Sequence, residues 1–381
     1  AALVSAAPAS ASVPDLFGFG ARGIGLGNAI YASARGFEAV WYNPAGMAFD
    51  RERSFRVGYQ YGHFALDVNE EPWDALHAPA LVLGFGVPIP FGPPLAERLT
   101  VGLGFVLPTT SILIADTKAP GQLSMVLLEN RAQTVSVMIG AGVRILDELS
   151  VGWSMLALAE LEGGIEVAPN DAGRLGSQAH DQLVADYSHA LGVVVRPIVD
   201  RLAVGATWRQ VSTANYALPI SVDLGSTFPI PVPLLDISGT AQFDPEQVGV
   251  SVWTRPVDTL EIELAGVWKR WSAFPNPIVY TAVPDDYPPQ PLPDFHDTWG
   301  ARLGVATPIE RSKDVFTPRA GFMWEPSPAP EQTGLHNYLD NNRAITSLGL
   351  GYRRGVVSVD AAWQMHALLT RTSTKAACVA G

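Results

Sequence analysis

The chain has 381 residues, of which 48% are hydrophobic and only 16% charged, and its net charge is −12. Ordinary soluble domains carry roughly 25% charged residues, so this chain is short of charge for a large water-facing surface, and its acidic balance argues against a nucleic-acid partner, which favours a basic face. No stretch approaches the roughly 18 to 20 apolar residues of a membrane helix, because Gly, Ser, Thr or a charge recurs every few positions.

The other way to satisfy every backbone amide in lipid is a closed sheet, whose strands need only every second side chain to be apolar. The 36 glycines and 31 prolines fall between alternating segments and form no low-complexity blocks. One cysteine, Cys378, leaves no intramolecular disulfide framework and no Cys-rich metal site, and neither metal nor cofactor is expected.

In chain order, residues 1–12 read as the end of a secretory signal with an Ala-x-Ala-like site near Ser10 to Ser12, or as a disordered Ala/Ser tail. Residues 13–50 do not alternate. They hold Gly18, Gly20, Gly23, Gly25 and Gly27, then Trp41-Tyr42-Asn43-Pro44-Ala45-Gly46. Asn before Pro starts a turn or helix, since Asn caps amides and Pro presets the first helical φ. Such a segment ahead of a barrel serves as a hatch that plugs the lumen, or is a plain periplasmic tail.

From Ser54 onward period-2 alternation takes over, and 149–162 shows it well. Leu149, Val151, Trp153, Met155, Ala157 and Leu161 share one face, suited to lipid; Ser150, Gly152, Ser154, Glu160 and Glu162 share the other, suited to water. Strands are expected near 54–64, 80–88, 99–113, 131–145, 149–162, 182–196, 201–212, 247–254, 259–272, 297–306, 316–325, 343–353 and 356–370. Short turns such as 146–148, 197–200, 255–258 and 353–355 interleave with long connections around 65–79, 163–181, 213–246, 273–296 and 326–342. That is the layout of outer-membrane barrels, with short periplasmic turns and long extracellular loops. A soluble sandwich would carry more Lys, Glu and Arg on its outer face. Thirteen strands is an odd count, whereas single-chain bacterial barrels have an even one. After Thr372 no alternation remains, so the barrel is expected over 51–372 and the last strand is expected to be missing or replaced in the irregular tail 373–381.

Four short motifs in a fixed order resemble the FadL family of outer-membrane transport proteins. Gly23-Ile24-Gly25-Leu26-Gly27-Asn28-Ala29 with Ala39 to Ala48 resembles that family's hatch and its Asn-Pro-Ala motif. Trp268-Lys269-Arg270-Trp271-Ser272-Ala273-Phe274, Phe295-His296-Asp297-Thr298-Trp299, and Arg319-Ala320-Gly321-Phe322 with Glu325 to Pro330 resemble later strand ends and a Ser-Pro-x-Pro loop. The resemblance implies an all-β, fourteen-stranded transmembrane barrel in the Gram-negative outer membrane, plugged by the hatch (Asn43, Pro44, Ala45, Gly46). It implies passive uptake of hydrophobic small molecules, most of all long-chain fatty acids, with neutral or aromatic hydrocarbons as the alternative. It further implies a lateral exit at an inward kink of the third strand, for which Gly102, Gly104 and Pro108 are the candidates. The expected surroundings are outer-membrane lipid and lipopolysaccharide, and the expected state is a monomer.

A fatty acid needs an apolar pocket and a cation for its carboxylate. Alternation puts Arg209, Lys269 and Arg302 on the lumen side, opposite Trp208, Trp268 and Leu303, as candidate head-group partners; a lumen Arg or Lys more usually pairs with a wall carboxylate such as Glu261, Glu263 or Asp360. Phe228, Ile230, Leu234 and Leu235 make the connection 213–246 unusually apolar, fit for an entry groove or for packing on the barrel rim. A lipid-modifying enzyme would need a nucleophile and base held together. The seven histidines are scattered, no Gly-x-Ser-x-Gly occurs, and Asp360 and His366 stand about 20 Å apart along a strand. No enzymatic activity is expected. A purely structural or adhesin barrel would instead have a lumen filled by side chains.

Overall fold

The computed structural model describes residues 12–375 apart from 51, 74, 93–97, 111–121, 126, 129–134, 170–174, 223–234, 277, 281–291 and 335; residues 161–169, 175–181, 183, 218–222, 235–237, 241, 278 and 280 are described by their backbone alone. Thirteen strands run antiparallel in chain order: β1 Ser54–Gly62, β2 Ala78–Pro88, β3 Leu99–Pro108, β4 Ser136–Arg144, β5 Leu149–Pro169, β6 Leu175–Ile198, β7 Leu202–Arg209, β8 Gln247–Val257, β9 Leu260–Lys269, β10 Thr298–Ala306, β11 Asp314–Glu325, β12 Arg343–Arg354 and β13 Val357–Leu368. Each ladders with the next. Arg56 Nη1 of β1 donates to the Ser358 carbonyl of β13 at 3.3 Å, a side-chain link between the first and last of these strands. This is the all-β transmembrane barrel that the alternation predicts, and no helix of the described residues is long and apolar enough to cross a membrane.

Outward side chains form the apolar surface, among them Phe55, Val57 and Tyr59 on β1, Val151 and Trp153 on β5, and Val359, Trp363 and Met365 on β13. The inward face departs from the expected contact with water. Ser150, Ser154, Leu156 and Leu158 of β5 are buried, because residues 12–50 fill the space beside them.

Two expected loops are partly strand. The β5–β6 ladder continues from Glu162↔Gln182 to Pro169↔Leu175, and strands Ser212–Val222 and Leu235–Asp244 pair across a bulge at Ala214/Asn215. The first of these also runs parallel to β5, from Tyr216↔Leu161 to Val222↔Val167. At 21 residues β5 is about 70 Å long, while roughly 9 to 11 residues cross the hydrocarbon. The upper part therefore stands clear of the membrane. Its backbone groups find partners in a continued ladder because their obligatory hydrogen bonds do not end at the bilayer.

The segment ahead of the barrel folds as α1 (Val13–Leu16), α2 (Ala21–Gly25), α3 (Ala39–Tyr42) and two 3-10 turns, Gly36–Glu38 and Pro44–Phe49. Local chemistry starts these turns. Ser12 Oγ accepts from Asp15 N at 3.3 Å with Pro14 in the first turn, and Asn43 Oδ1 accepts from Ala45 N at 3.1 Å with Pro44 at the first helical position. None is long enough to be stable alone, so burial must hold them. Phe19, Ile30, Tyr42 and Met47 pack against Val82, Val106, Met138 and Leu158 of the wall in one core. Each such side chain contributes about 1.5 to 3 kcal/mol by leaving water.

Candidate functional site

The hatch sits on a belt of wall glycines. Gly102 and Gly140 are in register across β3 and β4; Gly142, Gly152 and Gly192 are in register across β4, β5 and β6; Gly304 faces Gly321 across β10 and β11. A Cβ at Gly152 would lie 2.3 Å from Ala45 N, one at Gly192 would lie 2.0 Å from Asn43 Oδ1, and one at Gly321 would lie 2.1 Å from Gly27 N. Only glycine permits this approach of backbone to backbone. Asn43, wholly buried, uses it: its Nδ2 lies 2.7 Å from Tyr31 O, 3.1 Å from Val193 O and 3.3 Å from Ala206 O, tying the hatch to β6 and β7. Pro44, Ala45 and Gly46 follow it, buried, in the 3-10 turn.

Gly102 and Gly104 belong to the same belt. Met47 Sδ presses on the first, and the Phe19 ring on the second. The β2–β3 ladder passes through Gly102, Gly104 and Pro108 without a register shift, and the β3–β4 ladder runs from Leu99↔Val143 to Val106↔Ser136.

Above the belt lies a tier of buried charge. Register places Arg209, Gln247, Lys269 and Thr298 on one rung of β7 to β10. Lys269 Nζ donates to both oxygens of Asp15 at 2.9 Å and lies 3.7 Å from Glu325. Arg302 reaches Glu325 at 3.1 Å, Tyr31 Oη at 3.0 Å and the Asn28 carbonyl at 3.3 Å. Arg343 stands 3.5 Å from Glu325. The partners are thus Asp15 and Glu325. Glu261 pairs with Arg255, Glu263 accepts from Ser251 and Ala32, and Asp360 takes Arg319.

Arg209 differs from its neighbours. It is 5% exposed, donates to the Trp41 carbonyl, and lies 3.5 Å from the Trp41 ring centroid. Among the described residues no carboxylate stands within ion-pair distance of it. It borders a cavity of about 10 Å³ that is also lined by Trp41, Met138, Ser154 and Ser188. The Ser188 hydroxyl, itself buried, has no hydrogen-bond partner.

At the long-loop end an aromatic cluster roofs the lumen. Phe274 stacks on Phe295 at 4.5 Å and meets Phe243 edge-on at 5.5 Å, with Trp271, Tyr338, Leu127 and Ala329 packed around them. Leu16 of α1, Met125 and Leu128 continue the apolar surface. The three later sequence motifs, around Trp271, Phe295 and Ala329, converge here, 24 or more positions apart in the chain. Nothing local in the sequence joins these strand-end aromatics; their clustering near 268–274 and 295–299 is the signal that points to them. A second cavity of about 290 Å³ lies beside the extended hairpins and is lined by Glu160, Asn215, Tyr216, Ser238, Thr240 and Val279 among others. Phe228, Ile230 and Leu234 lie outside the described residues, and Leu235 opens the strand Leu235–Asp244 opposite Ile220. Among the described residues no group of three or more metal-ligating side chains occurs.

A family model described as outer membrane protein transport protein (OMPP1/FadL/TodX) matches residues 2–377. Solved structures similar in fold include a Pseudomonas aeruginosa FadL homologue, at 16% identity, TM-score 0.59, over 96% of this chain and 91% of that one. A deltaS2 mutant of the monoaromatic hydrocarbon channel TodX matches at 13% identity, TM-score 0.51, over 92% and 93%. The Pseudomonas putida toluene transporter TodX matches at 14% identity, TM-score 0.49, over 90% of each chain. No curated protein sequence matches the chain.

Proposed function

The chain belongs to the OMPP1/FadL/TodX family, outer-membrane proteins that transport hydrophobic molecules, and on that premise we propose that its own cargo is long-chain fatty acid, with Arg209 as the partner of the carboxylate. The observation that carries this reading is the buried guanidinium with no carboxylate at ion-pair distance among the described residues, beside the unpartnered Ser188 hydroxyl. A buried charge without a direct ionic partner is costly, and a bound carboxylate would lower that cost through charge-assisted hydrogen bonds. Lys269 and Arg302 already have Asp15 and Glu325, so in this reading they hold the hatch and do not receive cargo.

The aromatic roof takes the hydrocarbon tail first. Arg209 then receives the head group after the hatch yields around Trp41. The exit is sideways through the wall at β3, whose Gly102, Gly104 and Pro108 lie on the ladder with β2. The flat stack of Phe274 on Phe295 favours a second reading, a neutral aromatic cargo. The two are separated by liposome uptake of a long-chain fatty acid against a neutral aromatic of similar size. Preferential entry of the acid supports the first reading, and equal entry of both removes it.

A further inference from the structure

We propose that His63 and His77 form a binding site for a divalent transition-metal ion at the base of the first long loop. The β1–β2 ladder ends on the rung Gly62↔Ala78, so His63 and His77, each one residue beyond a strand end, are the next opposed pair. Their Nδ1 atoms are 3.2 Å apart and their ring centroids 4.7 Å apart. Two nitrogens bound at about 2.0 to 2.1 Å to one tetrahedral zinc ion stand roughly 3.3 Å from each other. The two donors therefore already stand at the spacing of neighbouring ligands. Both imidazoles are exposed, and neither makes another hydrogen bond.

Imidazole suits zinc, copper and nickel and does not suit calcium or magnesium, which prefer oxygen. No third metal-ligating side chain joins the pair among the described residues, so water completes the shell and the affinity is modest. The loop that the two histidines close carries Phe64, Leu66, Val68 and Trp73, which pack with Leu16 of α1 and with Leu128 under the mouth. A metal ion here would staple that loop over the entrance.

The test is a calorimetric titration of zinc into untagged full-length protein in detergent, alongside His63→Ala and His77→Ala. The expected result is one zinc per chain, with affinity lowered about tenfold or more in each variant and thermal unfolding of the metal-free protein unchanged. A wild-type protein that takes up no zinc, its histidines joined by an N–H···N hydrogen bond alone, overturns the proposal. So does full zinc affinity in either variant.

Discussion

Lys269 Nζ donates to both carboxylate oxygens of Asp15, at 2.9 Å each, and so fastens the first turn of the hatch to the rim of β9, 254 residues away in the chain. Both side chains are almost completely buried. Breaking a buried pair by removing one charge is strongly destabilising, because the other charge stays behind without its partner. Here Glu325 remains 3.7 Å from Lys269 and moderates the loss.

Asp15→Asn keeps the shape and removes the charge. It is expected to lower stability by about 3 kcal/mol or somewhat less, and to raise the basal leak of a small hydrophobic solute into liposomes as α1 loosens. Denaturant unfolding and solute flux read the two effects. An unchanged leak with reduced stability would make the pair a structural strut with no part in passage.

Gly192→Ala would bring a methyl group to within 2.0 Å of Asn43 Oδ1, whereas Gly266→Ala meets nothing within 4 Å. The first is expected to cost about 1 to 3 kcal/mol through overpacking and to expose residues 13–50 to protease. The second should be near neutral in both respects. Similar behaviour of the two variants would mean that the glycine belt does not seat the hatch.

Phe274→Ala removes a ring stacked at 4.5 Å on Phe295 and an edge contact with Phe243. The expected loss is about 3 to 5 kcal/mol of local packing, together with weaker capture of fatty acid and neutral aromatic alike, read from ligand-induced change in Trp271 fluorescence. A loss confined to one of the two ligand classes would show that the roof selects cargo by head group.

The thirteen strands were legible because period 2 survives wherever one face meets lipid, as Val151 and Trp153 show against Ser150 and Ser154. Asn43-Pro44 was legible as a capped turn because its chemistry is local. The Asp15–Lys269 pair was not, since nothing in either segment fixes a partner 254 positions away. The role of Gly140, Gly152 and Gly192 was hidden for a related reason. A strand glycine reads as a gap or a kink until the segment that fills the space is known. The strands within 163–181 and 213–246 were taken for loops, because nothing local to either segment marks how far its ladder continues.

The most direct test of the account compares binding of a long-chain fatty acid and of its methyl ester to wild-type protein and to Arg209→Ala. A charge-assisted hydrogen bond contributes about 1.5 to 3 kcal/mol, which corresponds to a loss of about tenfold to a hundredfold in affinity. The account predicts that loss for the acid, with the ester bound equally by both proteins. Equal weakening of acid and ester, or an unchanged affinity for the acid, would contradict it.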